Sequence, residues 1–189
     1  MELILLCHAA TRAMKAGFFP SGDESAERDA RAVLAPLRAR RNTRVIASPA
    51  RVARETAAWI ADAFEIVPAF DDIDYGRWRG LSIRDTGTRE PGHVAAWLAD
   101  PQARPHGGES VAMLAARVAD ALAFSDHLNA RERCIVVTHA IVVKAALAHA
   151  LGMPLASVYT MDIAPLSATV LRRASPADAW TAELPHASA

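Results

Sequence analysis

Leu3 to Leu6 is an unbroken apolar run of strand length, the pattern of a strand buried on both faces in a parallel sheet. It stops at Cys7-His8 and gives way to an irregular stretch with Gly17, Pro20 and Gly22. Asp23 to Arg41 then reads as a helix, with Ala30, Val33, Leu34 and Leu37 on one face and Pro36 as a kink. Thr43 to Ala47 is a second strand. Ser48-Pro49 has the look of an N-cap followed by proline at the first helical position, opening a helix to about Phe64. A short strand over 65 to 70 precedes a charged, aromatic, glycine-containing loop from Asp71 to Gly80. A short helix follows at Val94 to Leu98, then a longer one at Ser110 to Asn129 entered through Gly107-Gly108. Cys134 to Val137 is the most apolar strand, and Ile141 to Leu151 the helix after it. Val158 to Ile163 and Ala168 to Arg172 read as two successive strands at a sheet edge, and the tail is expected to fray after about Leu184.

Strand and helix thus alternate through most of the chain. The expected fold is α/β, a three-layer sandwich whose mostly parallel, doubly wound sheet carries helices on both faces. At 189 residues the length suits one domain over 1 to 189. In such sheets, sites form beyond the carboxyl ends of the strands.

Charge narrows the partners. Lysine and arginine number 21 and aspartate and glutamate 21, so the net charge is zero and no basic stripe for nucleic acid is present. No apolar run approaches a membrane span, and the opening segment carries Glu2 where a signal peptide needs a positive charge, which favours a cytoplasmic protein. The two cysteines, Cys7 and Cys134, make no metal-ligand spacing. A small molecule is the expected partner; the pattern specifies no oligomeric state.

Two histidines, His8 and His139, each stand directly after a buried strand, which brings both to the same sheet edge. Either one alone is most simply a hydrogen-bonded structural histidine. Together they suggest nucleophilic or acid-base chemistry, for which a neutral imidazole is suited near pH 7. Asp72 and Asp74 lie in the loop that could supply an acid; mutual repulsion between them would raise one pKa.

The ordered segments Cys7-His8-Ala9-Ala10-Thr11, Ser48-Pro49-Ala50-Arg51-Val52-Ala53-Arg54-Glu55-Thr56, Asp72-Ile73-Asp74-Tyr75-Gly76, His106-Gly107-Gly108-Glu109-Ser110 and Val137-Thr138-His139 resemble the histidine phosphatase superfamily, the phosphoglycerate-mutase-like enzymes. The likeness spans roughly residues 1 to 172. It implies that His8 is the phosphoryl acceptor, that His139 donates to the transferring oxygens, and that Asp72 stands where the family usually has a glutamate protonating the leaving oxygen. Thr11 falls on the family's threonine of the same loop. Glu109, in the Gly107-Gly108-Glu109-Ser110 turn, could orient a histidine or touch substrate, and its glycines would let backbone approach a ligand. The implied substrate is a small phosphorylated molecule or another anion, with no metal and no cofactor required.

The pattern also breaks. The family places arginine just before the nucleophilic histidine and again midway between the serine and threonine of the second segment; this chain has Cys7 and Val52 there. Bidentate arginine is how such a pocket neutralises a phosphate dianion. A replacement cation could come from Arg12, Lys15, Arg51, Arg77 or Arg79, each equally readable as a surface charge. Cys7 does not form the phosphate loop of cysteine-dependent phosphatases, since four residues rather than five separate it from Arg12. It reads as a small apolar filler. Two functions remain open at this point. One is a phosphomonoester hydrolase working through a phosphohistidine, weakly or on an unusual substrate; the other is an inactive relative that binds a small ligand or partner. Selectivity would come from the 12 to 22 loop and the 81 to 106 insertion.

Overall fold

A computed structural model describes residues 1–39, 42–123, 133–175 and 177–183. Six strands form one sheet: β1 (Glu2–Cys7), β2 (Thr43–Ala47), β3 (Glu65–Ile66), β4 (Arg133–Thr138), β5 (Ala168–Arg172) and β6 (Thr181–Glu183), in the order β3-β2-β4-β1-β5-β6. The four strands from β3 to β1 are parallel neighbours, while β5 and β6 add in antiparallel fashion beside β1. The expected mostly parallel α/β sheet is therefore present, with β1 and β4 side by side at its centre. Their pairing runs from Glu2↔Arg133 to Cys7↔Thr138. That register brings His8 and His139 to the same carboxyl edge.

Alternate strand residues feed two cores, as the two-residue strand period requires. Leu3, Leu5, Cys7, Cys134 and Val136 pack under α6 (Val111–Leu122) and α7 (Ala140–Ala150). Ile4, Leu6, Ile135 and Val137 pack on the other face against α3 (Arg51–Ala58) and Leu34. Both faces are covered, which is why these strands are continuously apolar.

Several expected elements are corrected. The helix read over 23 to 41 shrinks to α2 (Arg31–Leu34) and a 3-10 turn at Ala35–Leu37 holding Pro36. Residues before it are captured by tertiary hydrogen bonds instead. Glu27 N donates to the Ala10 carbonyl, Ala26 N to Glu55, and the Glu24 carboxylate accepts from Ser21 and Gly22, so this segment folds over the sheet edge. The helix expected to reach Phe64 ends at Ala58, and the strand expected over 65 to 70 is two residues long before Pro68 starts a 3-10 turn. The expected strand at 158 to 163 is absent: Leu155–Tyr159 is a 3-10 helix that seats Val158 in the core beside α7. The short helix at 94 to 98 extends over Pro91–Ala99 (α5), preceded by an unanticipated α4 (Ile83–Arg89) capped by Ser82. A four-residue α1 (Arg12–Lys15) follows Thr11, and β6 pairs part of the tail that sequence left without anchors. The ends of the expected helices at Arg41 and Asn129, and the tail after 184, lie outside the described residues. No described helix is long and apolar enough to cross a membrane.

Candidate active site

His8 leaves β1 with its backbone amide bonded to the Thr138 carbonyl, which ties the two histidine-bearing strand ends together. Its Nδ1 lies 2.7 Å from the Ala9 carbonyl, which can only accept, so Nδ1 carries the hydrogen and Nε2 keeps a lone pair. Nε2 is 3.1 Å from Nδ1 of His139, whose hydrogen it accepts, and the rings meet edge-on with centroids 4.7 Å apart. Each histidine is 5% exposed. Burial, with the neighbouring His139 second, lowers the His8 pKa to about 4. The imidazole is therefore neutral throughout the physiological range, as a nitrogen nucleophile must be.

The other face of His139 is held by the strand β2 end and the acidic loop. Ser48 Oγ lies 2.9 Å from His139 Nε2 and donates to Asp71 Oδ1 at 2.9 Å. Ser48 thus caps no helix; α3 is entered through Ala50, and the Ser48 hydroxyl accepts the Ala50 amide. Asp71 and Asp72 both approach His139, at 3.5 Å from Nε2 and Nδ1 respectively. Their environments split them. Burial pushes the Asp72 carboxyl up, with Asp71 adding to the rise and His139 and the Ile73 amide opposing it. Asp71 is also pushed up by burial, but hydrogen bonds from His139, Ser48 and the Asp72 amide outweigh that and bring it down. Two carboxyls with opposed shifts are the arrangement from which acid and base roles are drawn. The raising partner is thus Asp71, with burial the main cause, and not Asp74: that carboxylate accepts the Gly76 amide and faces Arg79 at 3.9 Å.

Arg117 fixes the acidic loop, a role that sequence did not reveal. It donates to the carbonyls of Ala69, Asp71 and Asp72 while its Nε and Nη2 hold both Glu109 oxygens at 2.9 and 2.7 Å. Glu109 therefore neither orients a histidine nor borders the cavity; it anchors Arg117. Of the two glycines beside it, Gly108 approaches backbone rather than ligand, whereas a Cβ on Gly107 would meet nothing within 4 Å. A Cβ on Gly108 would lie 2.0 Å from the Asp74 oxygen and 2.6 Å from the Gly76 nitrogen.

A cavity of about 530 Å³ opens above the histidines and is bordered by His8, Thr11, Asp72, His139 and Val52. Thr11 is buried and accepts the Met14 amide as N-cap of α1. Val52 borders the cavity. Arg51, one residue earlier, is exposed to solvent and pairs with Glu55 at 2.9 Å. Arg12 is exposed and does not border the cavity. Lys15 pairs with Glu27, and Arg77 with Glu90 and the Pro105 carbonyl. Of the cations considered from sequence, Arg79 alone reaches the cavity rim; Lys144 of α7, which sequence missed, is the other cation bordering it. Ala140, Ile141 and Lys144 share the cavity face of α7, the three- and four-residue spacing that could have revealed it.

Cys7 is fully buried in the core below, and burial pushes its thiol up to about 12, with Asp72 adding to the effect. A thiol so raised is inert, which fits a filler and not a nucleophile. Trp78 is likewise packing, stacked 5.4 Å from Phe19 and meeting the His106 ring at a tilt with centroids 5.0 Å apart. No cluster of metal-ligating side chains occurs among the described residues.

No curated protein matches the sequence. Among solved structures, a protein described as mycobacterial hydrolase 1 aligns with a TM-score of 0.85 at 22% identity over 100% of this chain and 99% of its own. Mycobacterial glucosyl-3-phosphoglycerate phosphatase aligns at 0.84 and 22% over 99% of each chain. A putative alpha-ribazole-5'-P phosphatase from Escherichia coli aligns at 0.84 and 19%, over 99% of this chain and 97% of its own. At these identities the likeness establishes the fold. The sequence goes further: the family model for the histidine phosphatase superfamily (branch 1) matches residues 3–183, from the first strand to the last and across both histidines, and to that family the chain belongs.

Proposed function

We propose that this chain is a phosphomonoester hydrolase that uses His8 as a covalent acceptor. The observation that carries the reading is the 2.7 Å contact of His8 Nδ1 with the Ala9 carbonyl. With Nδ1 donating to the Ala9 carbonyl, the buried, neutral ring offers Nε2 to the cavity. In the first step Nε2 attacks phosphorus and the bond to the leaving oxygen breaks. Asp72, whose raised pKa keeps a proton available, delivers it to the departing alkoxide. Water then attacks the phosphohistidine, Asp72 as carboxylate takes its proton, and inorganic phosphate leaves with His8 neutral again. His139 Nδ1 points its hydrogen toward His8 Nε2; for attack that hydrogen bond must break and the rings part, after which Nδ1–H can donate to a transferring oxygen instead. The relatives named as phosphatases of glucosyl-3-phosphoglycerate and alpha-ribazole phosphate support a phosphoryl ester as substrate.

The rate is expected to be low or the substrate unusual. Val52 leaves one guanidinium position in the cavity apolar, and Cys7 leaves the other in the core. Losing one preorganised charge donor costs about 3 kcal/mol of barrier, roughly a hundredfold in rate. The same two positions favour a second reading, an inactive relative that binds a small ligand or partner in this cavity. Hydrolysis of a set of aryl and alkyl phosphates by wild type and His8→Ala separates the two. Turnover above the alanine variant supports the enzyme; equal background with both proteins leaves only the binding reading.

A further inference from the structure

The charges around the cavity do not suit a polyanion. Four carboxyl groups border it, Glu24, Asp71, Asp74 and the proton-holding Asp72, against Arg79 and Lys144. Arg79 is already engaged at the rim, donating to the Ser21 carbonyl at 3.1 Å and facing Asp74. Lys144 is different. It is half-buried on the cavity face of α7, one turn beyond His139, and makes no hydrogen bond or ion pair among the described residues. An anion held in the cavity beside it would give this ammonium a direct partner.

The rest of the wall is apolar and wet. Phe18, Ile83 and Leu98 are 40%, 48% and 52% exposed and border the same cavity, with Trp97 and Tyr75 set deeper at a ring-centroid separation of 6.1 Å. About 530 Å³ is far more than one phosphoryl group needs, and is in the range of pockets that enclose a whole drug-sized molecule. A leaving alcohol therefore meets aromatic and aliphatic surface, while a second carboxylate or phosphate on it would meet Asp74 and Glu24 with no unengaged cation to balance it.

Resting on the phosphatase reading above, we propose that this cavity selects phosphate monoesters of bulky, apolar, uncharged alcohols, held at the phosphoryl end by Lys144. Lys144 then supplies as a single point charge what two arginines would supply bidentately. That lowers affinity for a dianion and leaves much of the binding energy to the apolar wall.

The test compares kcat/KM for 1-naphthyl phosphate and 3-phosphoglycerate with wild type, Lys144→Met, Lys144→Arg and Leu98→Glu, each checked for an unchanged melting transition. Wild type is expected to favour the naphthyl ester at least tenfold. Lys144→Met should raise KM for it about tenfold or more, Lys144→Arg should restore most of that, and Leu98→Glu should erode the naphthyl preference. Equal or better turnover of 3-phosphoglycerate overturns the substrate class while leaving the phosphatase intact. An unchanged KM in folded Lys144→Met overturns the role of Lys144. Absence of turnover with every ester overturns both this proposal and the phosphatase reading.

Discussion

Keeping His8 neutral has a thermodynamic consequence that can be measured without any substrate. In the folded chain, burial beside His139 lowers its pKa from 6.5 to about 4. Between those values the unfolded chain binds the proton and the folded chain does not, so stability rises with pH across that window. The contribution is complete above pH 6.5 and is lost progressively as pH falls toward 4. A difference of about 2.5 units at 1.36 kcal/mol each amounts to about 3 kcal/mol. Urea unfolding of wild type and His8→Asn at intervals from pH 7.5 to 4 isolates this term, because other titrating groups are common to both proteins. Wild type is expected to lose about 2 to 3 kcal/mol relative to the variant over that span. At an ordinary urea slope this moves the midpoint difference by about 1 M or more. The ring resonances of His8, followed over the same pH range, assign the proton uptake to it. Parallel stability curves for the two proteins would refute the claim that folding holds His8 neutral.

Three further outcomes follow from packing and charge at the same edge. Val52→Arg puts a guanidinium into the cavity and should tighten inorganic phosphate binding about tenfold or more by calorimetry; an unchanged affinity in a folded variant would contradict the register of α3. Gly108→Ala forces a Cβ to 2.0 Å from the Asp74 oxygen, so the acidic loop must shift, at a cost of about 1 to 3 kcal/mol read by urea unfolding. Arg117→Met frees the carbonyls of Asp71 and Asp72; it should lower kcat roughly tenfold to a hundredfold with less effect on KM, and move the alkaline limb of the pH profile.

The central architecture was legible because buried parallel strands are continuous apolar runs. β1, β2 and β4 fall within a residue or two of their expected bounds, and with them the meeting of His8 and His139. What failed were segments whose conformation is set by distant partners. Asp23 to Ala30 carries helical periodicity but spends its polar groups on Ala10, Glu55 and Ser21. Val158 has strand composition yet is drawn into a 3-10 turn by the pocket beside α7. The site divides the same way. His8, His139, Asp72 and Thr11 could be placed by position after strands and within loops. Ser48 and Glu109 were visible but given other roles, and Arg117 and Lys144 were missed because each acts across the fold, on carbonyls of another loop or on a cavity built by segments distant in sequence.

The most direct test of the account is to look for phosphate on His8 itself. Wild type mixed briefly with an aryl phosphate, quenched in alkali where phosphohistidine survives, and mapped by peptide mass spectrometry should carry one phosphoryl group on His8. Asp72→Asn, impaired in activating water, should accumulate more of it from a substrate whose leaving group needs no proton. Turnover with no phosphoryl group on His8 in either protein, or with the group on another residue, would contradict the account.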